Sequence, residues 1–356
     1  MRTSFIFAPT LALCAALGPA ALCQTEGRPN VLFIAVDDLN DWVGCLEGHP
    51  QASTPNIDRL AARGILFTNA HCAAPSCRPS RAAVFSGKMP NVTGVWANGS
   101  SGLLKLHPKI LHLPKAFARA GYRTLGTGKM VHGGSSGRKM FGEYFSVSQR
   151  WSPFTKKAVN YKKSELPSKG TDNPRHIATD IQGNQVILPL NRMPSDRKPT
   201  EKGGESFDWG PMDVPDVSMG DTQITDWAIQ KLGEKSEAPR FLGIGYYRPH
   251  IPLWAPKKYF QRFVDAPASL PPIALNDLDD LGPTARNWAL KAVTAGSHAT
   301  VLKHKQWRAA VEAYLACTSF VDHQIGRLLN ALDKSKLGDN TVIVLWSDHG
   351  WHLGEK

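Results

Sequence analysis

Cysteine is scarce in this 356-residue chain, with six in all: Cys14, Cys23, Cys45, Cys72, Cys77 and Cys317. No C-x-x-C pair occurs, which argues against a thiolate zinc site. The first two fall in an apolar leader, and the other four are too few for a scaffold held by disulfides. No apolar run beyond the leader is long enough to cross a bilayer. The chain has no large repeat, no long low-complexity tract, and no basic–aromatic motif of the kind that binds nucleic acid. What remains is a globular chain with an ordinary core.

Hydrophobic residues make up 42% of the chain, enough for one large or two ordinary domains of roughly 100–200 residues each. Met1-Arg2-Thr3-Ser4 and the apolar run from Phe5 to Leu22 have the pattern of a secretory signal peptide, with Ala21 and Cys23 ahead of a cut at Gln24. The competing readings are an N-terminal anchor and a lipoprotein signal ending at Cys23, and Leu22 fits a lipobox poorly. Residues 1–23 are therefore expected to direct export, giving a secreted or periplasmic protein without stable membrane insertion. The net charge is +12. It is either a solvated basic surface or a positive cleft that steers a polyanion inward.

Residues 29–36 form a continuous apolar run, as expected of a strand buried on both faces of a parallel sheet. A helix is expected from Thr54 as N-cap, with Pro55 in its first turn, to Gly64. Further helices are expected over Leu113–Ala120, about Thr222–Leu232 and about His304–Leu332. Further strands are expected over Tyr122–Leu125, Phe241–Tyr246 and Thr341–Trp346. Phe141 to Met219 reads as a polar, irregular excursion over the sheet edge. Strands alternating with helices specify an α/β fold with a mostly parallel sheet.

In open α/β sheets, ligands bind beyond the carboxyl ends of the strands. Asp37 and Asp38, Lys129 and His132, His250, and Asp348 and His349 all lie just past expected strand ends. Three carboxylates brought together repel unless a positive group sits between them. Oxygen ligands without a thiolate cluster favour Ca²⁺ or Mg²⁺. Alone, Asp37-Asp38 would equally well be a turn or cap, and each histidine a packing residue.

The pentapeptide Cys77-Arg78-Pro79-Ser80-Arg81 places a cysteine at the start of a helix whose first turn holds Pro79. Anions are favoured there by the free N–H groups and the dipole. Taken alone, Cys77 would be a core thiol or half of a disulfide. This C-x-P-S-R string resembles the signature of the type I sulfatases. Arg28-Pro29-Asn30-Val31, Ser53-Thr54-Pro55-Asn56-Ile57-Asp58, Gly128-Lys129-Met130-Val131-His132, Gly245-Tyr246-Tyr247-Arg248-Pro249-His250-Ile251-Pro252 and Ser347-Asp348-His349-Gly350-Trp351 resemble the same family in the same order. The resemblance is to its iduronate-2-sulfatase branch.

That resemblance implies an alkaline-phosphatase-like sandwich, with a large, mostly parallel sheet flanked by helices. It also implies one catalytic domain over 24–356, whose C-terminal part would lie beyond this sequence, together with a further family lysine. Cys77 would be oxidised to formylglycine by a maturation enzyme, leaving Cys45, Cys72 and Cys317 for at most one disulfide. Asp37, Asp38, Cys77, Asp348 and His349 would hold a divalent cation, Ca²⁺ ahead of Mg²⁺. Arg81 would steady the nucleophile, Lys129 clamp the sulfate, His132 act as base, and His250 assist the leaving oxygen. His349 would either ligate the ion or bond the sulfate. Lys129, His250 and His349 are thus the expected substrate contacts, and the expected activity is removal of sulfate from a sulfated sugar. The alternatives are choline-sulfatase or arylsulfatase activity, phosphate or phosphonate monoester hydrolysis on the same scaffold, and a non-catalytic carbohydrate-binding protein.

Overall fold

The computed structural model describes residues 27–133, 139–147, 153–154, 176–180, 182–194, 205–274, 276–291 and 296–355. The expected leader lies outside them, as does much of the expected excursion from Phe141 to Met219. No helix among the described residues is long and apolar enough to cross a membrane.

Five parallel strands form the central sheet. From one edge to the other they are β3 (Glu143–Phe145), β2 (Arg123–Gly128), β7 (Arg240–Tyr246), β1 (Asn30–Val36) and β9 (Thr341–Ser347). Outside it, β4 (His176–Thr179) and β5 (Gln185–Leu188) form an antiparallel pair, and β6 (Trp209–Met212) pairs in parallel with β8 (Leu253–Pro256). The larger helices are α1 (Pro55–Ala62), α2 (Cys77–Ser86), α3 (Leu113–Arg119), α4 (Gly220–Gly233) and α5 (Trp307–Asp333).

The alternation of β1 makes the layers. Leu32, Ile34 and Val36 pack with Ile224 and Ala228 of α4 and with Val321, Ile325 and Leu328 of α5. Val31, Phe33 and Ala35 turn to the other side, where Phe85 of α2 and Phe117 of α3 cover the sheet. Both faces of β1 are thus covered, Leu32, Ile34, Ala35 and Val36 fully and Val31 and Phe33 in part, in keeping with its unbroken apolar run.

The register aligns the strand ends. Val36 pairs with Tyr246 on one side and Ser347 on the other, so residues 37, 247 and 348 leave the sheet at one level. On the far side of β7, Gly128 pairs with Gly245. A Cβ on Gly245 would lie 2.2 Å from the carbonyl carbon of Lys129, and one on Gly128, where φ is +69°, would lie 2.0 Å from the Gly245 oxygen. Glycine at both positions lets the chain carrying Lys129 cross close above β7.

Two expectations need correction. The stretch from Phe141 to Met219 is not wholly irregular, because β3 extends the central sheet and β4, β5 and β6 also lie within it. These strands have only three or four residues each, too short for periodicity to register. The start of α1 also differs in detail. Thr54 stands at the N-cap position but its hydroxyl makes no cap bond; it donates to Asp58 Oδ1 at 3.0 Å and accepts from Gly44 N at 2.8 Å. The cap comes instead from α5: Asp322 Oδ1 accepts from Asn56 N at 3.1 Å and Ile57 N at 2.8 Å. Asp322→Ala would leave these amides unpaired at a half-buried interface, and is expected to cost about 1–3 kcal/mol, seen as a lower midpoint in urea unfolding. An unchanged midpoint would mean that the start of α1 is held by other contacts.

Candidate active site

Beyond β1 the chain turns sharply. Asp38 adopts φ +62°, a conformation a short polar side chain tolerates. Its N–H donates to Asp348 Oδ1 at 3.1 Å, and its carbonyl accepts from the Tyr314 hydroxyl at 2.8 Å. Cys77 is the first residue of α2, after an extended Ser76. Ser80, one turn on, donates from its hydroxyl to the Asp348 carbonyl at 2.5 Å. Helix α2 is thereby pinned to the end of β9.

Asp37, Asp38 and Asp348 are all 0–1% exposed, so their charges must be met within the protein. The Arg81 guanidinium meets two of them. Its Nη2 donates to Asp37 Oδ1 at 3.0 Å and its Nε to Asp348 Oδ2 at 2.8 Å, while Nη1 reaches the Lys129 carbonyl. Lys129 Nζ pairs with Asp37 Oδ2 and lies 3.3 Å from Cys77 Sγ. The guanidinium of Arg81 thus bridges two acids, Asp37 and Asp348, while also lying within electrostatic reach of Cys77.

Burial alone would raise the Asp37 pKa, but Lys129 and Arg81 outweigh it and hold the carboxyl below its ordinary value. Asp38 goes the other way: burial and the neighbouring Asp37 charge push it well up. Burial, then Asp37, raises the Cys77 thiol to about 11, despite Lys129.

The metal-ligating atoms gather in two overlapping sets. Asp37, Asp38, Cys77 and His250 form one, and Cys77, Asp348 and His349 the other, with the atoms in each set within 4.8 Å of one another. His349 Nε2 lies 3.3 Å from both Cys77 Sγ and Asp38 Oδ1. Three buried carboxylates against two buried cations leave negative charge in the cluster, and Asp38 is the acid least compensated. Such a carboxylate-rich set suits a hard divalent cation. The thiol of Cys77 and the imidazoles of His250 and His349 are softer donors than these carboxylates.

His250 Nε2 stands 3.9 Å from both Asp37 Oδ2 and Asp38 Oδ2. His132 is set apart from the two ligating groups and lines a cleft beside α2. Its Nδ1 is buried without a hydrogen-bond partner among the described residues. The cysteines Cys45, Cys72, Cys77 and Cys317 are all free, so the one disulfide the sequence allowed is not formed.

The sequence reading missed the supports of this site. Asp221, at the start of α4, accepts from Tyr247 N at 2.8 Å and Arg248 N at 2.9 Å. Arg248 in turn donates from Nε to the Trp254 carbonyl at 2.7 Å and from Nη1 to the His250 carbonyl at 3.0 Å. Together they fix the loop that presents His250. Arg248 stands within the Gly245–Pro252 motif, whereas Asp221 lies outside every motif and an isolated Asp at a helix start carries no distinguishing pattern.

A family model described as Sulfatase matches residues 29–356. The chain is 34% identical over 345 residues to a sulfatase of Formosa agariphila, covering 92% of this chain and 60% of that protein. It is 30% identical over 357 residues to human iduronate 2-sulfatase, covering 96% of this chain and 58% of that one. The chain thus spans less than two thirds of the length of these curated relatives. The phosphonate monoester hydrolase of Agrobacterium radiobacter superposes with a TM-score of 0.64 at 22% identity, over 92% of this chain and 64% of the other. The fold is accordingly of the alkaline-phosphatase-like type.

Burial, then the cations Lys129, Arg78 and Arg81, lowers His132 from 6.5 to about 4. The folded chain therefore binds fewer protons here than the unfolded chain between those values. The stability this neutral ring confers is complete above pH 6.5 and is lost as pH falls towards 4. A His132→Gln variant is expected to flatten the pH dependence of the melting temperature in that window. A ring proton titrating near 6.5 by NMR would contradict the enclosed, cation-flanked setting of His132.

Proposed function

The chain belongs to the sulfatase family, which generally uses a metal ion and a formylglycine, and from that membership we propose that it hydrolyses the sulfate ester of a sulfated sugar. The observation that carries this reading is the meeting of three wholly buried carboxylates with Cys77 at the first turn of a helix. Formylglycine at position 77 and a divalent cation would together supply a nucleophilic oxygen near neutral pH. Asp37, Asp38, residue 77, Asp348 and His349 would hold the cation, Ca²⁺ in preference to Mg²⁺, since so many carboxylates suit the larger ion.

The chain's own groups then divide the work. Lys129 faces the sulfate oxygens and balances the charge that gathers on them. His250 is carried on the braced Arg248 loop and supports the departing oxygen of the sugar. His132, neutral and with a vacant Nδ1, accepts the proton given up when sulfate is released. His349, with Nε2 3.3 Å from both Cys77 Sγ and Asp38 Oδ1, would ligate the cation or bond the substrate sulfate. Arg81 is a positioning residue that keeps Asp37 and Asp348 apart by one guanidinium.

A sugar substrate is favoured by the 30% identity to human iduronate 2-sulfatase and by the +12 charge, which draws polyanions. Export through residues 1–23 and maturation by a formylglycine-generating enzyme complete the reading. Relative rates on nitrophenyl sulfate and nitrophenyl phosphate separate it from phosphate or phosphonate ester hydrolysis, and any steady turnover removes the non-catalytic alternative.

The tryptic peptide Gly64–Arg81, from protein purified out of its native host, is expected to be lighter by the change from thiol to aldehyde and to react with a hydrazide. Cys77→Ser should abolish multiple turnover. An alkylatable Cys77 in active enzyme, or full turnover by the serine variant, would defeat the formylglycine mechanism.

Ca²⁺ at a hundred times its Kd is expected to stabilise the fold by about 2.7 kcal/mol, raising the melting temperature reversibly against a chelator. Asp38→Asn should remove most of that shift. A melting temperature indifferent to Ca²⁺ and Mg²⁺ alike would mean that these acids hold no cation.

A further inference from the structure

Asp208, the residue before β6, meets the loop that carries His250 at its far end. It is wholly buried. Its Oδ1 accepts from Asn191 N at 2.9 Å and Trp209 N at 2.8 Å, and its Oδ2 from Leu190 N at 2.8 Å and the Trp254 indole Nε1 at 3.1 Å. Its own carbonyl accepts from Leu253 N at 2.8 Å. Trp254, also wholly buried, passes the constraint on. Its carbonyl accepts from Arg248 Nε at 2.7 Å, and Arg248 Nη1 donates to the His250 carbonyl at 3.0 Å. Three hydrogen bonds therefore lead from Asp208 to the residue beside Asp37 and Asp38. Burying a carboxylate is costly, and a well-packed apolar residue in such a place often serves stability equally well. What the carboxylate adds is direction: four donors converge on two oxygens, which fixes residues 190–191, β6 and Trp254 relative to one another. Asp221 holds the near end of the same loop through Tyr247 N and Arg248 N. The loop is thus gripped by a carboxylate at each end, with Arg248 between them.

We propose that Asp208 is a positioning residue for His250, acting through Trp254 and Arg248 to keep the imidazole in its place beside Asp37 and Asp38. Asp208 itself touches no reacting atom. Releasing the far end of the loop lets the His250 backbone shift and takes the ring with it, and a misplacement of about 1 Å can cost a hundredfold in rate. What His250 does for a departing oxygen rests on the sulfatase reading, whereas the chain of hydrogen bonds does not.

Two variants that keep the shape of the core test this. Asp208→Asn leaves one accepting oxygen where there were two, and Trp254→Phe removes the indole N–H while keeping an aromatic ring. The value of kcat/KM is measured on a series of aryl sulfates running from nitrophenyl to methoxyphenyl. The poorer leaving group depends more on assistance at the departing oxygen, so each variant should lose about tenfold to a hundredfold more on the methoxyphenyl ester than on the nitrophenyl ester. His250→Gln should show the same bias, and Asp208→Asn should add little to it in the double variant. Equal losses along the series, no loss, or losses that multiply in the double variant would overturn the proposal. Amide hydrogen exchange gives a readout without turnover: residues 247–254 should exchange at least about tenfold faster in Asp208→Asn while β1 keeps its protection. Faster exchange throughout the sheet would reduce Asp208 to a stability residue and overturn the proposal. If the unmutated protein hydrolyses no sulfate ester, the sulfatase reading falls and hydrogen exchange alone decides: loosening confined to 247–254 sustains the positioning role, and any other pattern ends it.

Discussion

The arrangement hangs on one buried guanidinium. Arg81, on α2, bonds Asp37 after β1, Asp348 after β9 and the Lys129 carbonyl after β2. Four elements far apart in sequence are thereby fixed to one point at the carboxyl edge of the sheet. Withdrawing one partner from such a buried pair typically costs about 3–5 kcal/mol, because the charge left behind has no water to turn to. The cluster is therefore not neutral padding: its members must be present together. The fork of Arg81 also explains why lysine could not take its place, since a single ammonium cannot address three acceptors in one plane.

The same bridge sorts the acids. Asp37 keeps its charge because two cations touch it, whereas Asp38 receives neither and is driven towards its neutral form by burial and by Asp37. A pair of adjacent carboxylates with opposite tendencies is what results when a site has one cation too few. Cys77, Asp38 and His349 surround the undercompensated point. The cation proposed above would neutralise it.

Much of this was legible in the chain. β1 announces itself as an apolar run ending in two acids, and α5 as a long amphipathic stripe; strand ends in a parallel sheet then bring Asp37, Lys129, His250 and Asp348 to one edge by topology alone. What could not be read were interactions whose sequence pattern is that of ordinary packing. Asp322 lies in the middle of α5, where nothing marks it as the cap of another helix. Tyr314 looks like one more core aromatic, yet its hydroxyl bridges the Asp38 carbonyl and the Asn40 amide. Asp221 and Arg248 act through backbone groups of the His250 loop. β3 is three residues long and takes its place by pairing with β2, not by propensity. Motifs mark the groups that meet the ligand, while the groups that hold them in place are specified only by the fold.

Cys77 shows why the pentapeptide cannot be understood as an ordinary cysteine site. A reactive thiol needs a lowered pKa, usually from a helix N-terminus and nearby cations. Cys77 has both, in α2 and Lys129, yet burial among Asp37 and Asp348 overrides them and keeps the thiol protonated up to about 11. A neutral sulfur is a weak nucleophile and a soft donor among hard carboxylates. These surroundings suit the change of residue 77 proposed above. An oxygen-bearing side chain would match the carboxylates as a ligand and would be drawn towards its anionic form by a cation among them. The formylglycine proposed at residue 77 would remove the mismatch between a soft, protonated sulfur and the carboxylates around it.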